Sequence, residues 1–182
     1  MTEEDFWRII HDSREEAGGT QTGQIEKLTE KLELLNEDEL TSFTCHSFLV
    51  STKLNIWKVV GAFHIIYRDF SFSEDLFRDF ISAIIMQGES AVKSAIVEPD
   101  LIKADQLEAC EAFLSCPSKA WAKQNPLRKF DFLPDLPSLT GQRWNSEPAG
   151  PKLDTLDIRE LGKIYPRLWD QFGINPKRPP NL

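Results

Sequence analysis

The chain has 182 residues, 41% hydrophobic and 27% charged, enough for one substantial core and close to the usual size of one domain. Its net charge of −8 is concentrated in residues 1–100, where nineteen Asp and Glu face nine Lys and Arg, and this argues against nucleic acid, whose phosphates call for Lys and Arg. No apolar run approaches the roughly 18 residues of a spanning helix, and Met1-Thr2-Glu3-Glu4-Asp5 is acidic where a secretory leader is basic and then greasy, so no membrane contact and a cytoplasmic location are expected.

The first helix is predicted to start at the capping residue Thr2 and to stop at Gly18-Gly19, with Phe6, Ile9, Ile10, Ser13 and Ala17 turned inward. A second runs from about Thr22 to Leu35 on the seam Ile25, Leu28, Leu32, Leu35. Asn36 and Glu39 form a capping box for a third, which carries Leu40, Phe43, Leu49 and Val50 to about Ser51. The segment Asn55 to Tyr67 is apolar nearly all round and reads as a central buried helix, although its β-branched residues leave a strand open. Ser71 or Ser73 caps the next helix, with Leu76, Phe80, Ile84 in one row and Phe77, Ile81, Ile85 in the adjacent one, ending at Gly88. A short helix Ser90 to Val97 closes at Glu98-Pro99. Another starts at Asp105 and passes Leu107, Cys110, Phe113 and Leu114, and Pro117 is expected to kink or restart it before Trp121.

None of the eleven prolines precedes Pro99. Residues 125–152 therefore read as irregular, yet Phe130, Phe132, Leu133, Leu136, Leu139 and Trp144 are too apolar for a free linker. A last helical piece spans Asp154 or Asp157 to Phe172, broken near Tyr165-Pro166. The expected fold is all-α: a compact bundle of about seven helices over residues 1–124, and a Pro- and aromatic-rich extension, 125–182, wrapped on the same domain.

Several stretches, Phe6-Trp7-x-x-Ile10, Arg14-x-x-Ala17-Gly18-Gly19, Leu28 to Leu35, Ile56-Trp57, Ser73-Glu74-Asp75-x-Phe77, Phe80, Gln87-Gly88 and Pro99-Asp100, carry a resemblance over roughly the first hundred residues. They resemble a bacterial domain-of-unknown-function family, forty-two-forty. The resemblance implies a helical domain, found in some proteins described as regulators of molybdenum metabolism, and no activity. The sequence is several residues longer than the family pattern between Trp57 and Ser73. It also has Ile81 where the pattern places an arginine, which puts in doubt any site built on that arginine.

Candidate chemistry is sparse. His11 and Glu15, four apart with Asp12 beside them, lack a third and fourth metal ligand, so a solvated face is the preferred reading. His46 and His64 have no linked nucleophile or orienting acid, and Cys45, Cys110 and Cys116 form no C-x-x-C pair. Gly18-Gly19-Thr20 and Gly23 lack the preceding strand and the G-K-[ST] of a phosphate loop. No catalytic residue, metal or cofactor is assigned. The leading expectation is a non-catalytic binding protein, either a protein-interaction or regulatory module or an immunity-like protein that neutralises a basic toxin, using an acidic face or the groove beneath the wrap. Trp144 and Trp169 are its candidate contacts. The alternative is a small-molecule binder or enzyme with a pocket between the central helix and the Ser73 helix, lined by Trp57, Asp75 and Phe77, with Arg14 as an anion contact.

Overall fold

The computed structural model describes residues 1–103, 110–128, 132–145 and 147–173. Among them lie ten α-helices: α1 Glu3–Glu16, α2 Gln21–Leu32, α3 Glu37–Leu54, α4 Trp57–Ile66, α5 Glu74–Met86, α6 Glu89–Val97, α7 Glu111–Gln124, α8 Leu136–Thr140, α9 Ile158–Ile164 and α10 Pro166–Phe172. A 3-10 turn, Pro99–Leu101, follows α6. The described residues hold no strand, only an isolated bridge between Ile56 and Ala149. The chain is all-α as expected, with more helices than seven, because the extension contributes three short ones of its own.

Local chemistry sets most boundaries. Thr2 and Asp5 form a reciprocal capping box at α1, and Asn36 and Glu39 do the same at α3, so the acidic first turns satisfy N–H groups that the helix itself leaves unpaired. Ser73 caps α5 through the Leu76 N–H, and Gly88, at φ 99°, supplies the left-handed turn that separates α5 from α6. The segment with strand character is a helix, α4, since residues Val59 to Phe63 are buried in an unbroken run that a one-sided strand does not provide.

One expectation about the seventh helix is corrected, and another falls outside the described residues. α7 spans Glu111–Gln124 with Cys110 at its cap position, while the expected start at Asp105 and Leu107 lies outside the described residues, as does Phe130. Pro117 does not restart it: α7 runs through the proline to Gln124. A mid-helix proline costs about 3 kcal/mol. Burial of Phe113, Cys116, Ala120 and Trp121 on the same helix offsets this, at roughly 1.5–3 kcal/mol for each large side chain.

One core joins all these pieces, with Phe6, Phe43 and Phe113 in one aromatic chain and Phe63, Phe77 and Phe80 in another. α1 packs on α2, α2 on α7, and α3 on α5, α7 and α8, while α4 carries α9 and α10. Buried polar groups close their own bonds. Gln24 donates to Met86 O at 2.8 Å at the carbonyl end of α5, and Ser13 to Ile10 O at 2.8 Å.

The extension is stitched to the α3–α4 corner by backbone. Asn55 Nδ2 donates to Asn145 O at 2.7 Å, the Ala149 N–H to Asn55 O at 2.8 Å, and the Trp57 N–H to Ala149 O at 3.1 Å. Further on, the Tyr165 hydroxyl donates to Lys58 O at 2.8 Å, over Gly61, where any Cβ would lie 2.6 Å from that hydroxyl oxygen. Arg68 reaches the last carbonyls of α10, Phe172 O and Gly173 O.

Candidate functional site

Where the extension crosses the bundle, three helices and the crossing chain leave a cavity of about 270 Å³. α3 contributes Thr44, Ser47, Phe48 and Ser51, a stripe at helical spacing. α5 contributes Arg78 and Ile81, and α7 contributes Phe113, Leu114 and Pro117. Leu136 and Trp144 form the roof. The wall is more apolar than its residue types suggest, because Ser47 and Ser51 donate their hydroxyls back to Phe43 O at 3.0 Å and Ser47 O at 2.8 Å.

Arg78 and Trp144 meet at the rim. The guanidinium carbon lies 4.7 Å from the centre of the Trp144 ring, a cation–π contact, and Nη2 pairs with Glu74 at 2.8 Å. Two buried donors at this contact, Arg78 Nε and Trp144 Nε1, have no acceptor among the described residues. Each such donor costs on the order of 1–3 kcal/mol.

Past Arg78 and Leu114 the cavity opens onto a shelf with three carboxylates, Asp75, Asp79 and Glu111, together with Ser115, Ser118 and Lys119. Burial, and then the charges of Glu111 and Asp75, push the Asp79 carboxyl above its ordinary value. Trp144 also borders a shallow polar face of Trp57, Asn145, Glu147 and Lys152, with the Lys152 ammonium 5.2 Å from the Trp57 ring.

Residues 1–123 match the family model for proteins of unknown function, DUF4240. The chain belongs to this family. No curated protein and no solved structure matches the chain. The division is informative for the groove. Its α3, α5 and α7 walls lie within the DUF4240 residues, whereas its roof, Leu136 and Trp144, lies beyond them.

Of the residues singled out in the sequence, Asp75 and Trp144 line this groove system, and Trp57 joins it through the face it shares with Trp144. Phe77 is buried in the core between Phe63, Phe72 and Phe80, so Trp57, Asp75 and Phe77 do not converge on one pocket. Arg14 lies elsewhere. It donates to Gln87 O at 2.6 Å at the end of α5 and lines a smaller cavity, about 150 Å³, with Ser90, Ser94 and Lys103. Trp169 packs its ring against Gly162 and Gly173 and so ties α9 to α10.

Sequence reading missed Arg78, Asp79, Glu111 and Leu114. A signal for the first two was present, since Asp75, Arg78 and Asp79 at i, i+3 and i+4 share one face of a helix whose other faces are apolar. Glu111 and Leu114 join them only through tertiary packing of α7 on α5.

Elsewhere the reactive residue types are spent on packing. His64 is half-buried and stacked on Phe72 at 5.6 Å, and burial lowers its pKa. His46 contacts Met1 O at 3.3 Å and stacks on Phe6. Burial pushes the Cys45 and Cys116 thiols up, away from the thiolate a nucleophile needs. His11 is exposed against Asp12 at 3.3 Å, and among the described residues no three His, Cys, Asp or Glu side chains are placed so that they could hold one metal ion. Among the same residues no helix is long and apolar enough to cross a membrane.

Proposed function

We propose that this DUF4240 chain is a non-catalytic protein-binding module, regulatory or immunity-like, that receives a segment of its partner in the groove beneath the C-terminal wrap. The observation that carries this reading is the apolar cavity roofed by Leu136 and Trp144, with two unpartnered donors, Arg78 Nε and Trp144 Nε1, at its rim. A polypeptide brings both complements at once: an apolar side chain for the cavity and backbone carbonyls for the donors. Size favours the same reading. At about 270 Å³ the cavity falls just under the ~300 Å³ at which pockets for whole small molecules begin, and it suits one anchoring side chain. Leu114, 48% exposed at the mouth, extends the apolar contact outward.

The test is crosslinking inside native cells, with a photoreactive phenylalanine analogue in place of Leu114 and, as control, in place of Leu127, which is 98% exposed and away from the groove. A discrete protein adduct from position 114 and none from position 127 is expected. Adducts that are equal at the two positions, or absent from both, would remove the groove as a protein-binding site.

A further inference from the structure

The groove is electrically lopsided, and this bears on what enters it. On the shelf that opens past Leu114, Asp75, Asp79 and Glu111 converge from α5 and α7. Of the cations nearby, Arg78 is paired with Glu74 at 2.8 Å and lies over Trp144, so it is committed to the rim, and Lys119 offsets one of the three carboxylates. A net of two negative charges therefore faces whatever leaves the apolar cavity on that side. The surplus is local as well as global, since most other carboxylates of the first hundred residues stand in first helical turns or in ion pairs on other faces.

Resting on the reading of the groove as a protein-binding site, we infer that its occupant is a basic peptide segment, with one large apolar side chain in the cavity and Lys or Arg beside it over Asp75, Asp79 and Glu111. The cavity and the shelf share Arg78 and Leu114, so neighbouring residues of one extended segment reach both, at about 3.3 Å per residue. Cationic groups over the shelf also offset the charges of Glu111 and Asp75, which after burial disfavour the ionised Asp79 carboxylate. An acidic or purely apolar segment leaves this repulsion in place, which gives the groove a means of rejecting wrong partners as well as accepting right ones.

The experiment uses the full chain and three short synthetic peptides: one with a central Phe followed by two Lys, the same peptide with Glu for Lys, and the same with Ala for Phe. Affinity is read by fluorescence anisotropy, and position by the NMR shift of the Trp144 indole N–H. The Phe-Lys-Lys peptide is expected to bind and shift that resonance, to weaken with added salt, and to lose at least about tenfold in affinity when either the Lys pair or the Phe is replaced. The double variant Asp79→Asn, Glu111→Gln is expected to lose a similar factor with a thermal unfolding midpoint no lower than the parent's. Equal binding of the Lys and Glu peptides, with the Trp144 shift intact, would overturn the charge assignment and leave the groove reading standing. Binding that left Trp144 unmoved, or no binding by any of the three, would overturn the inference itself. The crosslinking from position 114 then decides the groove reading separately.

Discussion

The Asp100 carboxylate accepts a hydrogen bond from the backbone N–H of Leu168 at 3.0 Å, and a second from the adjacent Arg167 N–H at 3.0 Å. A residue of the family-matched region thus caps a helix of the extension. α10 needs this, because its own cap position is Tyr165, which has no capping side chain, and Pro166 follows directly. With Arg68 at the other end, both termini of α10 are satisfied from outside it.

Asp100→Ala is expected to destabilise the protein by about 1 kcal/mol, the usual cost of a lost N-cap. Asp100→Asn should lose clearly less, because the amide oxygen still accepts. Urea unfolding gives the size of the loss and hydrogen exchange its location, with faster exchange confined first to α10. Equal losses for Ala and Asn would show that charge, and not acceptance of these bonds, is what matters at position 100.

Gly61→Ala makes a sharper test because two effects have opposite sign. In an unencumbered helix the change stabilises by up to about 1 kcal/mol. Here the new Cβ would lie 2.6 Å from the Tyr165 hydroxyl oxygen and 2.8 Å from Leu153 Cδ1, so the extension has to move, at roughly 1–3 kcal/mol. Net destabilisation is expected, and it should shrink in a Tyr165→Phe background, where the closest oxygen is gone. A stabilised Gly61→Ala protein would show that Tyr165 does not dock over α4.

Much of this architecture was legible because local chemistry wrote it. Thr2, Asn36 and Ser73 announce helix starts, Gly88 a helix end, and the double row on α5 its two buried faces. Pro117 misled because its cost is real within one helix, and only the burial of Phe113 and Trp121 outweighs it. The candidate site was less legible for the same reason. Trp144 could be singled out as an aromatic in irregular chain, but its contact with Arg78, sixty-odd residues earlier, depends on how Asn55 and Ala149 bind the wrap to the α3–α4 corner. Asp75 stands out in the sequence as a pocket-lining candidate beside Trp57 and Phe77, and as a first-turn carboxylate of α5 it also meets the positive end of that helix.

Alkaline pH reports on the docking of α9. Burial, and then the charge of Asp100, push the Tyr165 phenol up to about 12, above its ordinary value near 10. The protonated form is the one that donates to Lys58 O. Because the folded value is the higher one, this contribution to stability is fully present below about pH 10 and is lost as pH rises from there toward 12. Tyr165→Phe should be less stable than the parent at pH 8, and the gap should close as pH climbs above 10. A gap that stayed constant with pH would show that the hydroxyl contributes nothing through its proton.

Asp79 links stability to binding and gives the groove a test that needs no partner. Burial and the neighbouring charges of Glu111 and Asp75 raise its carboxyl, so the ionised form is disfavoured in the folded chain. The sign follows from linkage. A raised acid contributes stability that is present below its unfolded value, near 4, and is lost as pH rises through the folded one. At neutral pH the parent therefore carries the cost of an unneutralised charge, and Asp79→Asn should be as stable as the parent or more so, with the difference fading as pH falls toward 3. The same variant should bind the Phe-Lys-Lys peptide less tightly, the pairing of stability gained with function lost that is expected where a site holds a charge for its ligand. Thermal unfolding from pH 3 to 8 decides it. A loss of more than about 1 kcal/mol at pH 7 in Asp79→Asn would mark the carboxylate as a structural acceptor and take away its role in attracting a basic segment.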